Sequence, residues 1–185
     1  NYYAKKVVNI FEEQFKLQNI SLYYFKNSIN SGAIARNLGV SKAKGDLIAF
    51  LDDDVLLDLN YYEEIEKVFL KYPTALGVHG YNKLVDNSYQ KMKNSFIQSL
   101  IYKFEKFFMS SSFYEDNQSR VLPSLCVTNP TPSCFISIVQ CEWVSTCAGV
   151  FHKAVFSKFS FEKQFMKYSW NEYLDFSYSI FKKNK

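Results

Sequence analysis

The sequence predicts an α/β fold with a mainly parallel sheet flanked by helices. Residues 47–51 (LIAFL) form a short apolar run, which is typical of a strand buried in a parallel sheet. Helical patterns at residues 33–43 and 61–71 lie on either side of it. An aromatic run at residues 19–25 has strand character and precedes the first of these helices. This strand, helix and strand order normally closes a parallel sheet with a right-handed crossover.

Composition indicates one globular domain over residues 1–185. The chain of 185 residues is 48% hydrophobic and 18% aromatic, so it can bury a substantial core. A net charge of +4 is too small to indicate nucleic acid as a partner. It is compatible with anionic nucleotides or an anionic membrane face. No uncharged apolar run reaches about 18 residues, so no transmembrane helix is predicted.

The cysteines favour a reducing, cytosolic compartment. None forms a C-x-x-C pair, which disfavours zinc, and their apolar surroundings favour buried free thiols over a disulfide framework. They are Cys126, Cys134, Cys141 and Cys147.

The remaining elements follow from local patterns. Residues 2–17 predict an amphipathic helix, and Asn30 or Ser31 is suited to cap the helix at 33–43. Pro73 ends the helix at 61–71. The next predicted strand, 75–81, contains a lone histidine, His79, which we expect to be packed or hydrogen-bonded.

The second half of the chain carries weaker signals. Large apolar residues at helical spacing, accompanied by lysines, occupy residues 91–109. They predict either a helix packed over the active site or an interfacial membrane helix. A strand at 136–144, a short helix at 153–156 and a helix beginning at Asn171 are predicted after it.

Three adjacent aspartates, Asp52, Asp53 and Asp54, end the central apolar run. Ligand sites of such sheets lie at the carboxyl ends of their strands. Adjacent carboxylates repel one another, whereas Mg²⁺ or Mn²⁺ takes oxygen ligands and usually binds one or two carboxylates plus substrate phosphates. The triplet therefore favours a divalent cation site. The alternative is a solvated loop in which Asp58 or Asn60 caps the next helix.

A second acidic pair lies near the end of the chain. Glu172 and Asp175 are three residues apart, so both lie on one face of the first turn if a helix begins at Asn171. The alternative for this pair is plain N-terminal capping of a surface helix.

Several segments together resemble the family 2 glycosyltransferases of GT-A fold, which is Rossmann-like. That family shares an Asn-x-Gly…Ala-Arg-Asn helix and a strand ending in a D-x-D (DXD) metal motif. The corresponding segments here are NSGAIARNLG at residues 30–39, KGD at 44–46 and FLDDD at 50–54.

The resemblance extends into the second half of the chain. Residues 142–151 are similar to the segment that leads to the family's acceptor region, and residues 172–178 are similar to its acidic Glu-Asp-x-Asp-Phe-Ser-Tyr-Arg helix. Altogether the similarity covers roughly residues 20–85 and 140–180, and the combination is more specific than any single motif.

The resemblance implies roles for the amino-terminal site residues. Asp52 and Asp54 are the outer members of the D-x-D motif, with Asp54 the better metal ligand. Asp53 lies beside the donor's ribose or diphosphate, and Arg36 lies near the nucleotide. The implied cofactor is a divalent cation, Mn²⁺ or Mg²⁺.

The acidic helix implies the catalytic base, for which we favour Glu172 first and Asp175 second. Two departures from the family pattern leave this choice open, since Tyr173 stands where the family commonly has Asp, and Ser179 stands where it has Arg. The family's first strands, which hold the nucleotide base, have no counterpart here. We therefore expect a fragment, that is, a partial and N-terminally truncated domain whose activity alone is in doubt.

The implied activity is inverting, hexosyl-type transfer from a nucleotide-diphosphate sugar donor to a glycan or lipid-linked acceptor, as in polysaccharide biosynthesis. We expect a cytoplasmic protein, with peripheral contact at the inner face of the membrane as an option and no nucleic acid partner. The main alternative is a non-catalytic carbohydrate- or nucleotide-binding remnant of such a domain. A nucleotidyltransferase is disfavoured because no glycine-rich phosphate loop is present, and a peripheral membrane module would depend on residues 91–109.

Overall fold

The structure is a computed structural model that describes residues 2–81, 115–116, 118–122, 127–130, 138–167, 169 and 171–185. The predicted lid or membrane helix at 91–109 lies outside the described residues. In chain order the elements are α1 (Tyr2–Leu17), α2 (Gly32–Lys42), β1 (Leu47–Ala49), α3 (Tyr61–Lys71), β2 (Gly77–Val78), β3 (Glu115–Asp116), β4 (Asn129–Pro130), β5 (Val150–His152), a 3₁₀ helix (Lys153–Ser157) and α4 (Glu172–Lys183). Across the described part of the chain, no helix combines the length and apolar character that spanning a bilayer requires.

The predicted helices that fall on described residues are confirmed within a residue or two. The bounds of α3 match the prediction, and the predicted short helix at 153–156 is the 3₁₀ helix. Ser31 caps α2 as predicted, because its Oγ accepts a hydrogen bond from the Ile34 N–H at 3.3 Å. This cap fixes the point where α2 begins, and the functional side chains of α2 lie within its first two turns.

The main sheet has the order β1–β5–β2, and both of its strand pairs are antiparallel. Ile48 lies opposite Phe151, and Val78 lies opposite Val150. The prediction of a mainly parallel sheet is therefore wrong for this sheet. The parallel partner predicted for β1 is the segment 19–25, but its neighbour in the structure is β5, from much later in the chain, which lies between β1 and β2. The described parallel pair is the two-residue pairing of β3 with β4.

Three strand predictions need further correction. Residues 19–25 form no strand with any described residue; Asn19 takes a left-handed conformation (φ 58°) at the end of α1, and aromatic content alone provides no pairing partner. The predicted strand 75–81 is shortened to β2. The described part of the predicted strand 136–144, residues 138–144, is irregular. The predicted strand–helix–strand unit is therefore absent from the described residues.

The main core joins α2, β5, the 3₁₀ helix and α4. Phe176 of α4 stacks on Phe161 with ring centroids 4.2 Å apart and also meets the Phe151 ring at 5.4 Å. The buried members of this core are Ala33, Val144, Phe151, Val155, Phe161, Phe176 and Ile180. Since Glu172 precedes Phe176 by one helical turn, the core draws the start of α4 against the start of α2.

Candidate active site

Arg36 connects two predicted acidic sites that are far apart in the sequence. Its Nη1 donates a hydrogen bond to Glu172 Oε1 in an ion pair. Its Nη2 lies 3.5 Å from Asp52 Oδ1. The structure thus brings together three predicted residues, one each from α2, the loop after β1 and the start of α4.

Glu172 is buried, with 4% of its surface exposed. Its Oε1 bonds to Arg36, whereas Oε2 is buried and has no hydrogen-bond partner among the described residues. Gly32 provides the space for this carboxylate, since a Cβ added there would lie 2.6 Å from Glu172 Oε1. Glu172 begins α4 and lies against the first residue of α2, so the amino-terminal ends of two helices favour its negative charge.

Arg36 is held on a third side by an aromatic ring. Its guanidinium lies 5.8 Å from the centroid of the Phe161 ring. Asn37, the next residue, fixes the backbone of Phe161, since its side chain donates to the Phe161 carbonyl at 2.8 Å and accepts from the Phe161 N–H at 3.0 Å. These two hydrogen bonds from the side-chain amide of Asn37 fix the position of the Phe161 ring beside the guanidinium.

Asp52 is positioned by a hydrogen-bond ladder that continues beyond β1. The Phe50 N–H donates to the Gly149 carbonyl and the Asp52 N–H donates to the Cys147 carbonyl, each at 2.9 Å. Gly149 is required at its position, because a Cβ there would collide with the Ser145 carbonyl. The turn that this glycine permits therefore holds Asp52 beside Arg36.

Asp53 and Asp54 follow in an exposed turn. The Val55 N–H donates to the Asp52 carbonyl at 3.4 Å and closes that turn. In the part of the chain that the structure describes, the Asp54 carboxylate forms no hydrogen bond or ion pair, in contrast to Asp52. The triplet thus divides into one carboxylate bound to Arg36 and two that face solvent.

Cys147 brings a thiol to the same place. Burial raises the pKa of the Cys147 thiol, the neighbouring Asp52 carboxylate raises it further, and a hydrogen bond with Ser145 opposes them. Cys147 and Cys141 are both free, as predicted, and burial raises the pKa of Cys141 to about 11. Both are therefore neutral thiols near pH 7.

An aromatic cluster includes Tyr173, the residue that follows Glu172. Trp143 is buried and donates its Nε1–H to the Thr128 carbonyl at 3.3 Å. Its ring centroid lies 5.9 Å from that of Tyr173 and 5.8 Å from that of His79. Burial lowers the pKa of His79 to about 4, so His79 is a neutral packed side chain near pH 7, as predicted.

Asp175 shares the first turn of α4 with Glu172 but is exposed. Partial burial raises the pKa of its carboxyl above the ordinary value of 3.8, and the charge of Glu162 raises it further. Its charged neighbour is therefore an acid, whereas that of Glu172 is a guanidinium.

Tyr61 braces the loop behind Asp52. Its hydroxyl donates to the Ala148 carbonyl at 2.7 Å and accepts from the Gly80 N–H at 2.9 Å, and burial raises its pKa.

The sequence did not predict the contributions that Gly32, Asn37, Cys147 and Tyr61 make to this site. For the first two, a signal was present, since both lie within the NSGAIARNLG segment.

Asp52 and Asp54 have the chemistry that a Mg²⁺ or Mn²⁺ site needs, since they offer carboxylate oxygens at a solvent-accessible turn. Within the described ranges, no group of three or more His, Cys, Asp or Glu side chains is arranged to hold a metal ion. Magnesium is usually held by one or two carboxylates together with substrate phosphates. The two aspartates therefore fit the cation that the resemblance implies.

The fold and the site together describe an α/β protein in which one guanidinium, that of Arg36, pairs with two acidic side chains. The sequence matches the profile of Glycosyl transferase family 2 over residues 4–131, and the chain belongs to that family. Arg36 and the three aspartates lie inside the matched range, whereas Glu172 and Asp175 lie beyond it. Comparisons with curated proteins and with solved structures gave no match.

Proposed function

We propose that this glycosyltransferase, with a GT-A-like domain, transfers a hexosyl group from a nucleoside-diphosphate sugar to an acceptor hydroxyl with inversion and with the help of a divalent cation. The observation that carries the proposal is the position of Arg36 between Asp52 and Glu172. A proposed donor-binding group and a candidate base thus lie within reach of one guanidinium, which supports a site where donor and acceptor meet.

On the donor side, Asp52 and Asp54 would hold the cation, and Asp53 would lie beside the ribose or diphosphate. When bound, the cation would neutralise charge that develops on the leaving diphosphate. The Arg36 guanidinium is planar, permanently charged and able to form two parallel hydrogen bonds to a phosphate. It therefore supports the diphosphate by its own charge.

On the acceptor side, Glu172 is our first candidate for the base that removes the acceptor's proton during attack. Glu172 is buried, and a poorly solvated site strengthens electrostatic interactions with the reacting groups. Asp175 is the second candidate. A base on the side of the sugar opposite the diphosphate gives a single displacement and hence inversion at the anomeric carbon. We expect the acceptor to be a glycan or a lipid-linked glycan.

One observation favours a second function, that of a non-catalytic nucleotide- or carbohydrate-binding domain. Both oxygens of Glu172 are buried, one against Arg36 and one without a partner, so no acceptor hydroxyl reaches either oxygen in this arrangement. Under this alternative Glu172 only anchors Arg36, and the protein binds a nucleoside diphosphate without turnover.

The test begins with calorimetric titration of uridine, guanosine and thymidine diphosphates, each with and without Mn²⁺. We expect manganese-dependent binding of one of them, lost in Asp54→Ala. Asp46→Ala is the matched control, because Asp46 is also exposed but lies at the opposite end of β1. Absence of binding by all three, or equal binding by Asp54→Ala, contradicts the proposed donor site.

A radiolabelled hexose donor with the nucleoside diphosphate that binds then distinguishes a glycosyltransferase from a non-catalytic binding domain. Slow hydrolysis or transfer of the sugar, dependent on Mn²⁺, supports the enzyme. Tight diphosphate binding without any turnover of the sugar nucleotide, with a range of glycan acceptors present, favours the binding domain.

A further inference from the structure

We propose that Arg36 makes donor and acceptor binding interdependent: the donor diphosphate draws the guanidinium away from Glu172, and this exchange frees Glu172 for the acceptor hydroxyl. The inference rests on the proposed function and adds to it a coupling between the donor and acceptor sites.

The first step concerns the arrangement without substrates. Arg36 has one positive charge and faces two carboxylates, Glu172 and Asp52. The contact with Glu172 is the closer one and is also the more buried, since 5% of the Glu172 side chain is exposed compared with 36% for Asp52. A guanidinium attracted to two acids has two alternative arrangements, and in this one it favours the acid near the acceptor side.

The second step concerns what a diphosphate changes. The exposed aspartates at residues 52–54 are the proposed place for the diphosphate, and the Arg36 side chain, which is 21% exposed, already reaches Asp52. With the cation bound, a diphosphate still carries net negative charge, and it offers paired oxygens to the guanidinium fork. Its arrival therefore shifts Arg36 toward the β1 end of the site.

The third step concerns Glu172 after Arg36 moves. A buried carboxylate that loses its cation is left uncompensated, which is strongly unfavourable. Its Oε2 already lacks a hydrogen-bond donor. An acceptor hydroxyl supplies a hydrogen-bond donor to the released carboxylate and so offsets part of this cost. Occupancy of the donor site thus raises affinity for the acceptor, and by linkage the reverse also holds.

The consequence is measurable without any acceptor. If Glu172 competes with the diphosphate for Arg36, then removing the Glu172 charge strengthens diphosphate binding. We expect Glu172→Gln to bind the diphosphate identified above roughly fivefold more tightly than the parent, at the lower end of typical couplings. The control is Glu162→Gln, the same substitution at an exposed residue that precedes α4. We expect it to change the affinity for the diphosphate by less than about twofold.

The role of Arg36 is tested by a double-variant cycle. We expect Arg36→Gln to weaken diphosphate binding and to abolish the difference between Glu and Gln at position 172. An equal gain from Glu172→Gln in the Arg36→Gln background overturns the inference, since it shows that Glu172 acts on the ligand without Arg36. Unchanged or weaker binding by Glu172→Gln also overturns it.

Folding of each variant is checked by circular dichroism. If Glu172→Gln does not fold, Glu172→Asp replaces it, because a side chain shorter by one methylene keeps its charge but loosens the ion pair. A smaller gain in affinity supports the inference, and no gain overturns it. Absence of diphosphate binding by the parent contradicts the proposed function, whereas binding by the parent that equals binding by these variants contradicts the inference alone.

Discussion

Glu172 and Asp175 lie on the same helical turn and have opposite environments. Glu172 is buried against Arg36 and the start of α2, whereas Asp175 faces solvent near Glu162. A contact from a distant segment, and not helical spacing, creates this difference. Two acids of one motif therefore differ in electrostatic environment: Glu172 belongs to an ion-pair network, and Asp175 is an exposed acid near another acid.

The largest expected effect is on catalysis. We expect Glu172→Gln to lower kcat by about a thousandfold, since general base catalysis typically contributes a factor of 10² to 10⁴. Asp175→Asn should lower kcat by less than about tenfold, because its carboxylate lies outside the network. Steady-state kinetics with the radiolabelled donor measures both. If the two variants are equally impaired, or if Asp175→Asn is the more impaired, the base assignment is wrong.

The next effect is on stability. Arg36→Met leaves Glu172 buried without its cation and should lower the free energy of unfolding by about 3 kcal/mol. The double variant Arg36→Met/Glu172→Met should recover most of this loss, since an apolar pair of similar size carries no unpaired charge. Urea denaturation followed by circular dichroism measures both.

The control for this prediction is Lys67→Met. Lys67 pairs with Glu64 at 2.6 Å on the exposed side of α3, and exposed pairs contribute little. We expect its urea midpoint to stay within error of the parent. A loss in Arg36→Met no larger than that in Lys67→Met would show that the Arg36 ion pair is also energetically weak.

What the sequence could predict differs between the helices and the sheet. Helix α3 carries its own signals, an amphipathic pattern and Pro73 after its end, so its bounds follow from local interactions. The pairing of β1 with β5 has no local signal, because the hydrogen bonds join residues about a hundred positions apart. An apolar run predicts a buried strand but not the direction of its neighbour.

For the site as well, the sequence predicts the residues but not how they come together. The identities of Arg36, Asp52 and Glu172 follow from the family resemblance, which preserves residue order. Their meeting point does not, since it depends on the packing of Phe176 on Phe161 and on the small volume of Gly32. The burial of Glu172 and its unpartnered oxygen likewise emerge only from tertiary contacts.

A smaller effect comes from the glycines of α2. Gly32→Ala places a Cβ 2.6 Å from Glu172 Oε1, and we expect a loss of about 1–2 kcal/mol as the ion pair is displaced. Gly39→Ala is the matched control on the same helix, because nothing lies within 4 Å of its added Cβ. That variant should be stabilised by about 0.5–1 kcal/mol. Thermal unfolding of the two variants side by side measures the difference, and equal effects would contradict the close fit at Gly32.

The smallest effect is a pH dependence at Asp175. Partial burial and Glu162 raise its pKa above 3.8 in the folded protein, so folding takes up a proton between the unfolded and folded pKa values. The stability that Asp175 contributes is therefore present below the unfolded pKa and falls as pH rises through the folded pKa.

Asp175→Asn removes this titration. The unfolding free energy of the parent minus that of the variant should fall as pH rises from the ordinary pKa of 3.8 through the raised folded pKa, by less than about 1 kcal/mol because solvent screens an exposed site. In a Glu162→Gln background this fall in the difference should be smaller, because the charge of Glu162 is one cause of the raised Asp175 pKa. A difference that rises with pH would mean that Asp175 has a cationic partner.

The Arg36–Glu172 pair also bears on how the protein is made. These residues are 136 positions apart, and Glu172 begins the helix whose Phe176 and Ile180 complete the main core. During synthesis α2 and β1 leave the ribosome long before α4, so Arg36 has no buried partner until Glu172 has emerged. Closing so long a loop slows folding more than it weakens the folded state. The candidate site therefore forms only after α4 is made, and a nascent chain that stops before α4 has neither the Arg36–Glu172 pair nor the complete main core.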